Sequence, residues 1–388
     1  MKKSGFSRRA FLSTFSGGTA AMVASLSSAT CSALPAVSGP VAVNAGSQRA
    51  LFEDNLAVQC PRQVYGYRSI MGNFLLRKDG SLLMSFTRNG LEAVISDDQG
   101  RTWKDAHTLV PKPSPPAAGN IVHPGFLRLA NGDVLLSYIY STYPTTPYYG
   151  HNYYRRSSDE GKTWTDQYLL TPYPGYVIVH NDRIHTLSNG RILAIAEFKA
   201  HMPSTEDHRG YVGMSFFSDD MGYSWQASKN TVDMYPIEVQ EGDSVELKDG
   251  RIMMFARSYS GYAAKAFSDD KGETWSKGEL MNEFKMPSAG MPSVRRIPGT
   301  GDLLFFWISE SANDKDNPKI SRRCALTTAI SKDEGKTFIH QRNIVRDPQD
   351  DFGYQCIEFI GDDLAVIGYH CREGIRVARI GIDWFYGK

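Results

Sequence analysis

One eight-residue pattern, S-x-D-x-G-x-[TS]-[WF], constrains the fold of this 388-residue chain more than any other feature. It occurs five times, as SDDQGRTW from Ser96, SSDEGKTW from Ser157, SDDMGYSW from Ser218, SDDKGETW from Ser268 and SKDEGKTF from Ser331. In such a turn the Ser and Asp side chains bind nearby backbone N–H groups, Gly adopts a positive φ, and the aromatic ring packs beneath. Each copy of this aspartate turn predicts a β-hairpin, and copies 50 to 63 residues apart predict a repeat architecture.

A second repeat is interleaved with the first and consists of apolar segments broken by a Gly or Asp turn. Its copies are FLLRKDGSLLMSF from Phe74, FLRLANGDVLLSYIY from Phe126, IHTLSNGRILAIAEF from Ile184, VELKDGRIMMFAR from Val245, VRRIPGTGDLLFFW from Val294 and IEFIGDDLAVIGY from Ile357. Each copy predicts a further β-hairpin. Two hairpins per repeat give a four-stranded blade, so the sequence predicts an all-β fold, a six-bladed β-propeller. Residues from about 48 to 66 are expected to complete a blade with the C-terminal strands.

The N-terminal residues have the composition of an export signal. The run SRRAFL from Ser7 precedes a small, weakly apolar stretch and resembles a Tat signal, with a Sec signal as the alternative. Either signal would deliver the protein to the periplasm or the exterior. We predict an export signal over residues 1–36, a short linker over 37–47 and a single propeller over 48–388. Lipid anchoring at Cys31 is not expected, because SSATC is a poor lipobox.

Composition excludes several classes of partner. The formal net charge of +1 favours neither nucleic acid nor an anionic membrane, and no later stretch approaches the roughly 20 apolar residues of a membrane span. Cys60, Cys324, Cys356 and Cys371 lack the spacing of a zinc site, although one or two disulfides remain possible after export. We expect no metal or other cofactor, and a monomer.

The propeller geometry predicts that the repeated turns and the candidate functional residues lie on opposite rims. In a blade of strands a to d, the a–b and c–d turns lie on one rim of the ring, which we call the lower rim. The repeated carboxylates therefore belong to the lower rim and are not expected to be catalytic; they are Asp98, Asp159, Asp220, Asp270 and Asp333. Polar residues that converge on the opposite, upper rim are Tyr65, Tyr67, Arg68, His123, His180, Asn181, Asp182, Arg183, Glu241, Asp243, Arg257, Ser293, Arg295, Arg322, Arg323 and Tyr354.

At these positions the chain resembles the sialidase (neuraminidase) superfamily, in which the aspartate turns are known as Asp boxes. EGDSVELKDGRIMMFARS resembles the sialidase stretch from the glutamate that partners the nucleophile to a substrate-binding arginine, here Glu241 and Arg257. RRCALTTAISKDEGKTF resembles the stretch with a second carboxylate-binding arginine, best placed at Arg323. DFGYQCIEF resembles the segment of the nucleophilic tyrosine, Tyr354. The resemblance implies a glycoside hydrolase that removes a terminal sialic acid or a related acidic sugar from glycans.

Two positions depart from the family pattern. The first arginine of the family precedes the first hairpin, where this chain has Met71, and Arg68 three residues earlier is the substitute. The loop that carries the acid/base aspartate is reduced to TRNGLEA, whose only acid is Glu92. Asp182 and His123 are the other candidates for proton transfer. We predict a catalytic role for Asp182.

The predicted site suits an anionic sugar. Guanidinium groups bind carboxylates in a fixed plane, and we assign Arg68, Arg257 and Arg323 to substrate binding, together with His123 and Arg183. A tyrosine nucleophile avoids the repulsion that a carboxylate would feel. A glycosidase or polysaccharide lyase that acts on a uronic sugar through His123 and Asp182 remains open, as does a non-catalytic carbohydrate-binding propeller. For each of these residues a purely structural role is the competing interpretation.

Overall fold

Nearly all regular structure in the described part of this protein is β-strand. The computed structural model describes residues 50–62, 70–113, 119–142, 149–200, 210–287, 290–313 and 321–388. These residues contain one short helix, α1 (Ile382–Phe385), and no helix in them is long and apolar enough to cross a membrane. The all-β prediction is confirmed. The predicted signal and linker lie outside the described residues, as do Tyr65, Tyr67 and Arg68.

The strands follow one another with short connections. In chain order they are β1 (Phe52–Gln59), β2 (Met71–Leu76), β3 (Leu82–Thr87), β4 (Gly90–Ser96), β5 (Lys104–Pro111), β6 (Asn120–Arg128), β7 (Val134–Ser141), β8 (Gly150–Ser157), β9 (Tyr168–Leu169), β10 (Tyr176–Ile178), β11 (Ile184–Thr186), β12 (Ile192–Lys199), β13 (Val212–Ser218), β14 (Gln226–Ala227), β15 (Val239–Glu246), β16 (Ile252–Ser258), β17 (Tyr262–Ser268), β18 (Glu279–Lys285), β19 (Ser293–Arg296), β20 (Leu303–Asn313), β21 (Ser321–Ser331), β22 (Ile339–Arg346), β23 (Gly353–Ile360), β24 (Leu364–Cys371) and β25 (Gly374–Gly381).

These strands form antiparallel units arranged in a ring. Three sheets consist of four consecutive strands each, β2–β5, β15–β18 and β19–β22. Strands β6–β14 share one nine-stranded sheet, because β10 pairs in parallel with β8 where Tyr176 lies opposite Gly150. The inner strand β23 contacts β2, β2 contacts β6, and β6 contacts β11; β15 contacts both β12 and β19, and β19 contacts β23. Because two predicted blades share a sheet, the count of six blades stays a prediction.

The last sheet joins the two ends of the described chain. Its strand order is β1-β25-β24-β23, and β1 runs antiparallel to β25 from Phe52 opposite Ile380 to Gln59 opposite Gly374. The predicted pairing of the N-terminal segment with the C-terminal strands is therefore confirmed. This sheet therefore ties the two ends of the described chain together.

Apolar side chains fill the space between neighbouring sheets. One cluster lies between the sheets β15–β18 and β19–β22, where the rings of Phe255 and Phe305 are 5.1 Å apart and those of Phe284 and Trp307 are 4.7 Å apart. Middle strands such as β20 are apolar on both faces, as expected for a strand covered on both sides. The four cysteines of the described chain are buried and unbridged, so the disulfides left open by the sequence do not form here.

The five aspartate turns are built alike. In the fourth copy, Ser268 Oγ donates to Asp270 Oδ1 at 2.8 Å, while the Thr274 N–H and hydroxyl donate to the two carboxylate oxygens at 2.8 and 2.6 Å. In the second copy, hydrogen bonds lower the pKa of Asp159 to about 2, and the bond from the Thr163 hydroxyl has the largest effect. Each aspartate carboxylate thus accepts hydrogen bonds from groups of its own turn. The prediction that these motifs are structural is confirmed.

The aspartate turns also share a rim with the a–b turns, as the propeller geometry requires. Glu160, in the second aspartate turn, accepts hydrogen bonds from Arg128 at the end of β6, at 2.8 and 2.6 Å. It also accepts from the backbone N–H of Lys78, which belongs to the β2–β3 turn, at 3.3 Å. The lower rim is therefore a continuous band of turns.

We expect Asp270→Ala to lower the free energy of unfolding by about 1–2 kcal/mol, because three donors lose their acceptor. Asp269→Ala is the matched control: it removes the same charge from an exposed side chain of the same turn and should change stability by less than about 0.5 kcal/mol. Denaturant unfolding measures both. Equal effects of the two substitutions would contradict the structural role of the turn carboxylate.

Candidate active site

Three inner strands carry, near their upper ends, a β-bulge that holds a non-glycine residue at positive φ. The pairing shifts between Val122 and Gly125 in β6, between Gln240 and Asp243 in β15, and between Gly353 and Cys356 in β23. The first extra residues of these bulges are His123, Glu241 and Tyr354, with φ of 55°, 46° and 51°. Non-glycine residues seldom adopt positive φ, and a bulge re-aims the side chain that it carries. The three side chains are thereby turned out of the regular alternation of their strands and meet one another.

A tyrosine and a glutamate make the central contact of this group. The Tyr354 hydroxyl donates to Glu241 Oε1 at 3.0 Å, and Arg257 Nη1 donates to Glu241 Oε2 at 2.7 Å. The guanidinium carbon of Arg323 lies 5.3 Å from the centre of the Tyr354 ring. The structure therefore brings together the four residues that the sequence selected from four different strands.

The charges around Glu241 keep it ionised. Its burial opposes ionisation, but Arg257, followed by His180 and Arg323, holds the pKa of Glu241 well below its ordinary value. Burial likewise disfavours the charged guanidinium of Arg257, yet the nearby Glu241 raises the pKa of Arg257. Because Glu241 is a carboxylate at neutral pH and touches the Tyr354 hydroxyl, it can accept the proton of that hydroxyl.

Histidines surround the tyrosine ring. His123 and His180 lie edge to face with ring centroids 4.6 Å apart, and their centroids are 5.3 and 6.2 Å from that of Tyr354. His370 stacks on Tyr354 at 5.5 Å. Burial, followed by the charge of His180, lowers the pKa of His123 well below its ordinary value. His123 is therefore neutral near pH 7 and able to accept a proton.

A second glutamate joins the group and was not selected from the sequence. Glu197 Oε2 accepts the backbone N–H of Glu241 at 3.0 Å, and Glu197 Oε1 lies 3.7 Å from His180 Nε2. In the third repeat Glu197 occupies the position that Arg257 has in the fourth, because each lies seven residues after the turn glycine of NGRILAIAE or DGRIMMFAR. Superposition of the repeats would have identified it.

Arg257 also contacts the exposed aromatic ring of Tyr259. Its guanidinium carbon lies 4.7 Å from the centre of the Tyr259 ring, and Nη2 donates to the Tyr259 hydroxyl. Tyr259 is exposed, whereas Tyr354 and Glu241 are buried. The guanidinium of Arg257 therefore lies between the buried carboxylate of Glu241 and the exposed ring of Tyr259.

Arg183 lies in a buried ion-pair network rather than in the pocket. Its guanidinium is fully buried and donates to the carbonyl of Pro292 at 2.8 Å and to Ser293 Oγ at 3.0 Å, with Nη1 3.5 Å from Asp243 Oδ2. These contacts favour a structural role for Arg183. Its role in substrate binding stays a prediction.

Asp182 belongs to the same network. Its Oδ2 lies 2.6 Å from Arg295 Nη2 and accepts the backbone N–H of Ile357 at 3.4 Å. It lines a cavity of about 370 Å³ that also includes Glu358 and the lower half of β2 and β6. These contacts favour a structural role for Asp182 over the predicted catalytic one.

The remaining candidates make contacts that explain their presence structurally. Glu92 is bound within its own turn by Arg88, whose Nε lies 3.2 and 3.1 Å from the two carboxylate oxygens. Met71 is fully buried in the apolar core, so no arginine side chain occupies that position. Arg322 donates to the carbonyl of Asn313 at 2.7 Å. Of the three predicted arginines, the structure thus describes Arg257 and Arg323.

We expect Asp243→Asn to destabilise the protein by about 3–5 kcal/mol, or to prevent folding, because it leaves buried guanidinium groups without a countercharge. Asp243 is fully buried, contacts Arg183 and Arg295, and accepts from His185 Nε2 at 2.8 Å.

Asp219→Ala is the matched control for this prediction. It breaks an exposed ion pair with Arg191, whose two contacts are 2.7 and 2.8 Å long, and should cost at most about 1 kcal/mol in denaturant unfolding. A loss for Asp243→Asn as small as that for Asp219→Ala would contradict the assignment of this network to the fold.

The sequence is similar to a known domain family and to sialidases. Residues 96–358 match the family described as BNR repeat-like domain. A sialidase from Micromonospora viridifaciens is 23% identical over 377 residues, which cover 88% of this chain and 55% of that protein. The chain therefore spans about half the length of this curated relative. These matches confirm the resemblance to sialidase-like repeat proteins.

Solved structures confirm the fold. A Dyadobacter fermentans protein of unknown function superposes with a TM-score of 0.68 at 18% identity, covering 86% of this chain and 99% of that one. The NanB sialidase from Streptococcus pneumoniae superposes with a TM-score of 0.63 at 13% identity, covering 85% and 70%. The β-propeller architecture is shared with these proteins.

Proposed function

We propose, from the premise that the chain belongs to the BNR repeat-like domain family, that it is an exported exo-glycosidase of sialidase type. Its substrate would be a glycan that ends in a sialic acid or a related acidic sugar. The observation that carries this proposal is the hydrogen bond between the Tyr354 hydroxyl and the ionised Glu241, beside Arg257 and Arg323. The predicted export signal with its run SRRAFL would place this activity in the periplasm or outside the cell.

The charge of the substrate explains why a tyrosine would serve as nucleophile. A sialic acid carries a carboxylate on its anomeric carbon, and that charge would repel a carboxylate nucleophile. Tyr354 is neutral until Glu241 removes its proton. In the proposed first step the Tyr354 oxygen bonds to the anomeric carbon, the proton passes to Glu241, and the glycosidic oxygen leaves with a proton from a second group. In the second step water bonds to the anomeric carbon and gives one proton back to the second group, while the Tyr354 oxygen leaves and regains its proton from Glu241.

The two arginines would hold the substrate carboxylate. A guanidinium binds a carboxylate through parallel N–H···O bonds, which fix orientation as well as charge. Arg257 and Arg323 reach the Tyr354–Glu241 pair from different strands, so a carboxylate bound between them would lie next to the nucleophile. His180, which flanks Tyr354 and lies 3.7 Å from Glu197, is a group that can transfer the second proton.

The histidine cluster also favours a second candidate function, a polysaccharide lyase that acts on a uronic acid. Lyases remove a proton next to a carboxylate that is neutralised by cations, and His123 is held neutral by burial. His123 would take the proton, while the Tyr354 hydroxyl would protonate the departing oxygen. The arginines would neutralise the carboxylate in this case as well.

We expect Tyr354→Phe to reduce turnover of an acidic glycan substrate at least about 10³-fold, because the nucleophile is lost while the ring remains. Tyr369→Phe is the control. Tyr369 is also buried and its hydroxyl also donates to a carboxylate, but that carboxylate is Asp54 of β1, at 2.8 Å, outside the group around Tyr354. Steady-state kinetics and thermal unfolding would be compared. Near wild-type turnover by folded Tyr354→Phe would overturn the tyrosine mechanism.

The identity of the product distinguishes the two candidate reactions. We expect the purified protein, screened against sialosides and acidic plant and host polysaccharides, to release a free acidic sugar without a change in ultraviolet absorbance. An unsaturated product that absorbs in the ultraviolet would instead establish the lyase. Binding without release of any product would contradict both reactions and favour a carbohydrate-binding propeller.

A further inference from the structure

One cavity of the described chain lies on the lower rim, beside the second and third aspartate turns. It has a volume of about 560 Å³, and its walls include Tyr154, Arg156, Trp164, Tyr168, Tyr223 and Asp133. Trp164 and Tyr223 belong to the second and third aspartate turns, and Asp133 belongs to the β6–β7 turn. We call this cavity the rim pocket. It shares no residue with the group around Tyr354.

Two tyrosines of the rim pocket are unusually open to solvent. Tyr168 is 50% exposed and Tyr223 is 62% exposed. Each is supported from one side, because the Tyr154 ring lies 5.6 Å from that of Tyr168, and the Arg156 guanidinium carbon lies 4.0 Å from the centre of the Tyr223 ring. Within the described residues neither hydroxyl donates or accepts a hydrogen bond. These are rigid aromatic surfaces whose edges remain available for binding.

The fold does not require aromatic residues at these positions. The residue after the turn glycine is Tyr223 in the third aspartate turn, but in the other four it is Arg101, Lys162, Glu273 or Lys336. A charged side chain therefore satisfies the same turn elsewhere in the chain. The aromatic residue at this position needs another explanation, and exposed aromatic clusters mark binding sites.

The charges of the rim pocket are already balanced. Arg156 Nη1 donates to the carbonyl of Met221 at 2.7 Å, and Nη2 lies 3.4 Å from Asp133 Oδ2. One cation and one anion held in this way favour a ligand without net charge. They still leave polar atoms at the wall, because Asp133 and Arg156 each keep further hydrogen-bonding capacity. This contrasts with the arginine-rich surroundings of Tyr354.

We propose that the rim pocket binds a neutral hexopyranose unit of a polysaccharide. A pyranose ring presents C–H groups on its faces and hydroxyls around its edge. The C–H groups match the electron-rich faces of tyrosine, and the hydroxyls match the Arg156–Asp133 pair and the tyrosine hydroxyls. The volume of the rim pocket lies within the range usual for small-molecule sites and accommodates one or two sugar rings. The protein would thereby attach to a carbohydrate matrix while its upper rim faces outward. This inference does not depend on the proposed hydrolysis.

Affinity electrophoresis tests the rim pocket without any assay of turnover. The protein would be run through gels that contain soluble β-glucan, galactomannan or arabinogalactan, which are neutral probes, or an acidic polysaccharide. We expect at least one neutral polysaccharide to retard the unaltered chain. The double substitution Tyr168→Ala and Tyr223→Ala should weaken this retardation at least 10-fold. Both side chains are exposed, so thermal unfolding should show a folded protein.

The control and the contrary outcomes follow from the same gels. Tyr235→Ala removes a tyrosine that is 60% exposed outside the pocket and should leave retardation unchanged. The double variant and the control should both keep the activity of the unaltered protein on a small soluble substrate. Failure of every neutral polysaccharide to bind, survival of binding in the double variant, or binding of only the acidic polysaccharide would overturn the proposal.

Discussion

The chemistry of this protein depends on an irregularity in its inner strands. A regular β-strand alternates its side chains between the two faces of the sheet, so it packs against neighbouring blades. The extra residues His123, Glu241 and Tyr354 break this alternation in three blades, each with positive φ. Such conformations cost on the order of 1–3 kcal/mol each, and the regular hydrogen-bonded ladders below them hold them in place. The site is therefore built from strained residues on rigid strands.

Buried charge is arranged in two layers beneath and around these bulges. In one layer Asp243 is enclosed by Arg183 and Arg295 and ties the third, fourth and fifth repeats together. In the other layer Glu241 is paired with Arg257 and touches Tyr354. In the first layer Asp243 and Arg183 are fully buried, and their pairing stabilises the fold. The second combines an ionised acceptor with a hydroxyl, which is the combination that a nucleophile needs.

The sequence predicted the turns, because they are local in the repeat, and the aspartate turns fold as their residue types require. The resemblance to sialidases selected Glu241, Arg257, Arg323 and Tyr354, and these four residues meet in the structure. The buried ion pairs of Arg183 could not be read from the sequence, because position in a repeat gives the rim but not the depth of a side chain. Glu197 was overlooked because it resembles no family motif, although its place in the repeat matches that of Arg257. The bulges themselves leave no sequence signal that we could read.

The most direct test of the account is a crystal structure with an acidic sugar, a sialic or uronic acid, bound to the protein. We expect the sugar carboxylate to lie within hydrogen-bonding distance of the guanidinium groups of Arg257 and Arg323. The Tyr354 hydroxyl would then lie next to the anomeric carbon of a sialic acid, or next to the glycosidic oxygen of a uronate. A sugar bound away from Arg257 and Arg323, and not in contact with Tyr354, would contradict the proposed site.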